Sequence, residues 1–445
     1  MAARETFSSR WALLASMIGV AVGLGNVWRF PYMVGSFGGA SFVLVYVAAV
    51  VLLGLPALVA EWTLGRETRR GTVGAFERAG LPFGRAVGWF FFFVVAAATA
   101  YYTDAVGWVL FHALCETLAL VGLSIDGTAI LPPERGFSWV SFVLQLACTA
   151  TIILGCAWVL LRGLRAGIER ASRVIVPLLG GIVLVVVVRT LTLPGAWEGV
   201  RWYLLKFDLE AIDGSVVAAA VGQAIFSLSL GGTFMVVYGS YLDERQDLLG
   251  NAGWTAGGDL IAGLLAGLAI IPAVIALGLP PGEGPGLLFS TLPRVFEQIP
   301  LGALVGALFF LGLLGAAYLS DVAAFEVLVA GLVDNTRLTR SRAVWSMAAL
   351  VFLLAIPPMI NLEIFVPWDL LFGSGMQTLG ALAVVVTVGW FMDRRSVLRQ
   401  FAGSDVVAWH QRLLLGWVRY VVPLAILFVG IWWLLSDVLG WIRGV

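Results

Sequence analysis

Apolar residues run through this chain in blocks of 20 or more, separated by short clusters rich in Arg, Asp, Gly and Pro. A block of about 20 residues is what a helix needs to cross the hydrocarbon of a bilayer. Backbone groups in lipid must pair within the segment, so such blocks are helices, and the short alternating segments of a barrel are missing. The pattern predicts eleven spans, at about 11–36, 39–65, 86–122, 138–161, 166–193, 212–241, 251–279, 300–333, 340–361, 365–392 and 414–440. The first block lacks a small-residue cleavage site and runs into a glycine-rich polar stretch, so it reads as a span and not a removable signal. No connection is long enough for a separate soluble domain, which makes residues 1–445 a single transmembrane domain.

Composition agrees with this reading. Of the 445 residues 60% are hydrophobic and 12% charged, and the mean hydropathy is +0.97, which excludes a water-soluble globule. The formal net charge is zero, but the basic residues are segregated. Arg4 and Arg10 precede the first span, and Arg66, Arg69, Arg70, Arg78 and Arg85 follow the second. Arg162 and Arg165, Arg245, Arg337, Arg340 and Arg342, then Arg394, Arg395 and Arg399 follow spans four, six, eight and ten. The alternate connections hold only Arg135, Arg201, Lys206 and Arg294. The positive-inside rule puts the N-terminus in the cytoplasm and the C-terminus outside an inner or plasma membrane. Cys115, Cys148 and Cys156 fit no metal or disulfide spacing and read as buried packing residues. The stretch GPGLLFSTLPRVFEQIP, Gly284 to Pro300, reads either as a short re-entrant helix outside or as an ordered surface loop.

Two spans carry the same defect: GVAVGLGN (Gly19 to Asn26) in span one and FSLSLGGT (Phe226 to Thr233) in span six. Small residues can serve close helix packing alone. However, these two runs lie five spans apart, so they stand in opposite orientations, and paired interruptions in two inverted halves point to a substrate site at mid-membrane. A helix broken in lipid exposes carbonyls and amides that cost several kcal/mol each if unpaired. Half-helix carbonyl ends suit a small cation and amide ends suit a carboxylate, so a zwitterion travelling with sodium satisfies both.

The strings GLGNVWRFPY (Gly23 to Tyr32), GGASF, EWTLGR (Glu61 to Arg66), LTLPGAWEGVRWYL (Leu191 to Leu204) and GQAIFSLSLGG (Gly222 to Gly232) resemble the neurotransmitter:sodium symporter family, in its bacterial eleven-span amino-acid transporter form. The resemblance covers nearly the whole chain. It implies an all-α polytopic fold built as a 5+5 inverted repeat, with repeat one about 11–193, repeat two about 212–392, helices 1 and 6 broken, and an extra helix at about 414–440. It also implies a first sodium site from the Ala21 carbonyl, Asn26, Ser227 and Asp259. Family members that bind chloride do so beside residues matching Tyr46, Gln223 and Ser227; Asp259 brings a fixed negative charge there, so chloride is not expected. A second sodium site would use the carbonyls of Gly19, Val22 and Ala316 with Ser320, but Leu319 stands where a hydroxyl or carboxylate is usual, and leucine cannot ligate a cation. Asp321, one residue further, lies about 100° round the helix.

By the same resemblance the substrate pocket is lined by Val20, Ala21, Gly23, Gly25, Ala98, Tyr102, Phe226, Ser227, Ser229, Gly232, Ser320 and Ala324. Monoamine carriers of the family have an aspartate at the position of Gly23; glycine leaves room for the substrate's own carboxylate, held by Tyr102. Small Ala98, Gly232 and Ala324 imply room for a large neutral side chain, while Asp104 and Asp321, if near the pocket, would favour a basic one. The outer gate would join Arg29 to Asp369 or Asp321, since Phe372 stands at the family's aspartate position, with Tyr102 and Phe226 as an aromatic lid. The inner gate would comprise Arg4, Ser240, Tyr241 and Asp334. Gly167 and Pro177 enclose nine residues, a spacing that marks either unwinding of span five or a simple kink.

Other classes fit less well. No filter or ring-forming motif of a channel is present, no HExxH and no GxxxxGK[ST], and the only histidines are His112 and His410. The expectation is a sodium-coupled symporter of large neutral amino acids, not an enzyme, using one or two sodium ions. The alternative is proton coupling through Asp321, Asp104 or Asp259, with basic substrates ranked second to large neutral ones. Its expected partners are the amino acid and the lipid bilayer, with no nucleic acid; the sequence fixes no oligomeric state.

Overall fold

The computed structural model describes residues 6–243, 245–282, 287–403 and 406–435. Arg4, Gly284 and the far end of the expected last span lie outside the described residues. Among the described residues the regular structure is helical.

Span one is two helices, α1 (Arg10–Ala21) and α2 (Gly25–Ser36), bent by 53° at the break between them. Then follow α3 (Ala40–Thr68), α4 (Gly84–Ala119), α5 (Trp139–Leu161) and α6 (Leu164–Leu191). Span six is again divided, into α7 (Gly214–Ser227) and α8 (Phe234–Gly239). The rest are α9 (Leu248–Ala276), α10 (Gly302–Asn335), α11 (Arg340–Ala355), α12 (Leu362–Phe391) and α13 (Trp409–Trp432). Eight of these are continuous helices long and apolar enough to cross a membrane, and the bent pair α1–α2 makes a ninth. The two remaining expected spans have shorter helices: α7 and α8 are halves, and α11 has 16 residues.

Among the described residues, four short α-helices lie outside the spans: Thr72–Arg78, Ala196–Leu204, Arg394–Ala402 and Leu292–Gln298, the last within the stretch read as a re-entrant helix or a loop. Span five is helical throughout; its first turn, Leu164–Glu169, is wide, and Pro177 sits inside it, so the stretch between Gly167 and Pro177 is not unwound here. The three cysteines are free and buried.

Close backbone approaches position the broken helices. A Cβ on Gly65 would lie 1.9 Å from the Val236 carbonyl, so α3 rides directly on α8. A Cβ on Gly231 would lie 1.7 Å from the Gln377 carbonyl, and one on Gly380 1.9 Å from the Gly231 carbonyl, which seats α12 on the break of span six. Gly231 has φ +83°, a conformation that glycine adopts without the penalty other residues meet. Ser229 and Thr233 also have positive φ (52° and 56°), which turns the chain out of α7 and into α8.

Candidate functional site

Breaking two helices leaves main-chain groups to be satisfied, and side chains from neighbouring helices do so. The Val20 carbonyl accepts hydrogen bonds from the Ser229 hydroxyl (3.1 Å) and the Ser320 hydroxyl (3.0 Å), and Ser320 also reaches the Val22 carbonyl at 3.4 Å. The Leu24 amide donates to the Tyr102 hydroxyl (3.4 Å) and the Gly23 amide to Asn26 Oδ1 (3.2 Å). Gln223 Nε2 donates to the Gly25 carbonyl (2.9 Å). At the other break, the Gly231 amide donates to Glu61 Oε1 (2.7 Å), and the hydroxyls of Thr72 and Thr233 pair at 2.7 Å.

Three of the four residues expected to hold the first cation, Asn26, Ser227 and Asp259, form one buried cluster, while Ala21 lies on the wall of the cavity between the breaks. Asn26 Nδ2 donates to Asp259 Oδ1 (2.7 Å) and to Ser227 Oγ (3.0 Å), Ser227 donates to Asp259 Oδ2 (2.7 Å), and the Tyr46 hydroxyl lies 3.2 Å from Ser227 Oγ. Carboxylate, amide and hydroxyl oxygens are the hard donors an alkali or alkaline-earth cation takes. The Asp259 carboxyl stands among Tyr46 and Ser227, with Gln223 reaching Gly25 nearby.

The second cation position differs. Leu319 is buried, and its Cδ1 lies 3.0 Å from where a Cβ on Gly19 would be, with Val176 Cγ2 at 3.3 Å. Val22, Leu179 and Ala316 form an apolar cluster there, packed by Ile18, Val183 and Ala262. Ser320 donates its hydroxyl hydrogen towards the Val20 and Val22 carbonyls and is the one side-chain oxygen of the expected set.

Between the breaks lies a small cavity lined by Ala21, Gly23, Gly25, Ala98, Tyr102, Phe226, Ser229, Ser320 and Ala324. Three expected residues stand off its wall. Val20 contributes its carbonyl to Ser229 and Ser320, Ser227 faces Asp259, and Gly232 is covered by the ring of Phe234. Four unexpected residues line it: Thr99, Tyr101, Phe234 and Gln377. A Cβ on Gly23 would lie 2.5 Å from Ser320 Oγ and 2.9 Å from the Tyr102 hydroxyl, so glycine is what lets these hydroxyls close on the break.

Phe226 also lines a second, larger cavity, with Arg29, Phe37, Ser374 and Trp432, and with Gln377 stands between the two spaces. The Arg29 guanidinium stacks on that ring, 4.6 Å from its centre. Asp369 acts on Arg29 electrostatically without a direct ion pair and has the Tyr101 hydroxyl beside it. The other expected partner is corrected: Asp321 is buried between α4, α5 and α10, against Thr103 Oγ1 (2.9 Å) and Cys156 Sγ (3.6 Å), not at Arg29. Asp104 is bonded to Thr149 Oγ1 (3.1 Å), and neither acid lines the cavity.

At the opposite end of the bundle, the Tyr241 hydroxyl donates to Glu326, whose carboxylate forms a bidentate pair with Arg340 (3.1 and 2.6 Å). Asp334 Oδ2 accepts from the Gly71 amide (2.6 Å), and the Ser240 carbonyl accepts from Arg69 (3.3 Å). Phe7 packs on Tyr238 and Tyr241, and the Ser8 amide donates to Glu169 (3.0 Å), tying the N-terminal segment to α6. Sequence reasoning missed Glu326 and read Arg340 only as a cytoplasmic charge.

A model of the sodium:neurotransmitter symporter family matches residues 4–120 and 139–433. The chain is 32% identical over 448 residues to the uncharacterized sodium-dependent transporter YhdH of Bacillus subtilis, covering 95% of this chain and 96% of that one. It is 31% identical over 369 residues to an uncharacterized sodium-dependent transporter of Methanocaldococcus jannaschii, covering 79% and 74%. The crystal structure of MhsT in complex with L-phenylalanine superposes with a TM-score of 0.83 at 33% identity, covering 96% of this chain and 99% of that one.

This chain is therefore a polytopic secondary transporter, not an enzyme, with the inverted-repeat fold its two broken helices announce. It belongs to the sodium:neurotransmitter symporter family and is a sodium-dependent transporter.

Proposed function

We propose that this protein imports large neutral amino acids together with a single sodium ion, without chloride, by alternating access. The observation carrying this reading is the joining of the cavity to one polar cluster. The Gly23 and Leu24 amides and the Tyr102 hydroxyl border the side where a substrate carboxylate would lie, and Asn26, Ser227 and Asp259 stand directly behind it. A cation among those oxygens attracts the carboxylate, so ion and amino acid stabilise one another's binding. The apolar setting of Leu319 supports one ion and not two. The carboxyl of Asp259 beside Tyr46 and Ser227 supports independence from chloride. A neutral substrate is supported by a wall without a charged side chain, and by the phenylalanine bound in MhsT. Arg29 with Phe226 would close the outer side, and Tyr241, Glu326 and Arg340 the inner side, as the helix pairs around the breaks rock against the rest.

Labelled phenylalanine uptake into proteoliposomes tests this. Uptake should rise with sodium along a curve of Hill coefficient near one, and gluconate in place of chloride should leave it unchanged. Uptake equal in choline and sodium, or driven by acidic external pH alone, ends the sodium-coupled reading in favour of proton coupling.

A further inference from the structure

Gly232 implies an open space in the pocket wall, yet the space is filled. A Cβ built on Gly232 would lie 2.1 Å from Cε2 and 2.5 Å from Cδ2 of Phe234, so the ring two residues later folds back into the volume that a side chain at 232 would take. The backbone explains the fold-back: Thr233, immediately before it, has φ 56°, which swings the first residue of α8 round towards the cavity. Phe234 is half-buried and lines the cavity together with Ala98, Ala324 and Gly25, which cannot follow a substrate of changed size, and with Phe226 and Tyr102, which are held by the Arg29 guanidinium and the Leu24 amide.

Resting on the amino-acid reading above, we propose that Phe234 is the specificity-determining residue of this cavity. Its ring forms a movable wall that sets the size of side chain accepted, admitting leucine- and phenylalanine-sized groups and disfavouring the indole of tryptophan. A close-packed pocket discriminates one methylene by about 10-fold or more, and a whole ring exceeds that.

Competition of labelled leucine uptake by unlabelled Val, Leu, Phe and Trp tests it in wild type, Phe234→Ala, Phe234→Leu, Gly232→Ala and the Gly232→Ala/Phe234→Ala double variant. Phe234→Ala should raise the potency of Trp relative to Leu roughly 10-fold, with Phe234→Leu intermediate. Gly232→Ala should push the ring inward and weaken Phe and Leu more than Val, and the double variant should relieve this. Ratios within one variant do not depend on how much of it folds. Wild-type discrimination unchanged by Phe234→Ala and Phe234→Leu, or a Gly232→Ala defect that persists in the double variant, overturns the assignment while leaving the amino-acid reading intact. Absence of any amino-acid uptake by wild type overturns both.

Discussion

The two positions that the family resemblance proposes for cations flank one helix break, and they have opposite chemistry. At the first, Asn26, Ser227 and Asp259 are mutually bonded, fully buried and rich in hard oxygens. At the second, Leu319 and Val176 crowd Gly19, with Ser172 Oγ also close, Val22 and Ala316 belong to an apolar cluster, and Ser320 is the one side-chain hydroxyl of the expected set. The broken backbone alone therefore does not make a cation site. Its carbonyls are only half of a ligand shell, and the facing side chain decides whether the other half is oxygen or hydrocarbon. A cation stripped of water against Leu319 would lack ligands for its desolvated charge, a cost of several kcal/mol.

The largest expected effect breaks the polar member of the pair. Asp259→Asn keeps the shape but removes the negative charge, and should weaken sodium activation of uptake by about 100-fold, or about 2.7 kcal/mol at 1.4 kcal/mol per decade. Chloride should then restore part of the activity, since an anion could replace the lost charge; a variant with wild-type sodium activation would remove Asp259 from the ion site. Next, the apolar member can be converted. Leu319→Ser places a hydroxyl beside the Gly19 carbonyl, and the Hill coefficient for sodium should rise from near one towards two. A wild-type coefficient already near two would show that the second position binds sodium despite its leucine. The smallest effect is Ser227→Ala, which deletes one neutral donor to Asp259 and should reduce sodium affinity about 5-fold, matching about 1 kcal/mol for a buried hydrogen bond. Isothermal titration of the purified protein with sodium reads this directly.

How far the sequence reached follows the same division between local and distant causes. Both helix breaks are legible because glycine, serine and asparagine act on their own backbone, and the chemistry of Asn26, Asp259 and Leu319 depends on residue type more than on partners. What escaped depends on how far a side chain travels. Phe234 lines the cavity only because Thr233 takes a positive φ, and Gln377 reaches it only because Gly231 and Gly380 let α12 come so close. The Glu326–Arg340 pair joins helices whose facing surfaces no periodicity specifies, and an arginine at a span end reads first as an orientation signal. Asp321 illustrates the reverse error: an intramembrane acid read as a partner for Arg29 proves to be hydrogen-bonded to Thr103 and Cys156 instead.

The contact of Gly231 with Gln377 and Gly380 has a mechanical consequence. With main chain touching main chain and no side chain between to deform, α12 and the span-six break cannot slide past each other by compressing a cushion. A side chain at either glycine would wedge the two apart, so the seating of α12 on the span-six break depends on two missing methyl groups.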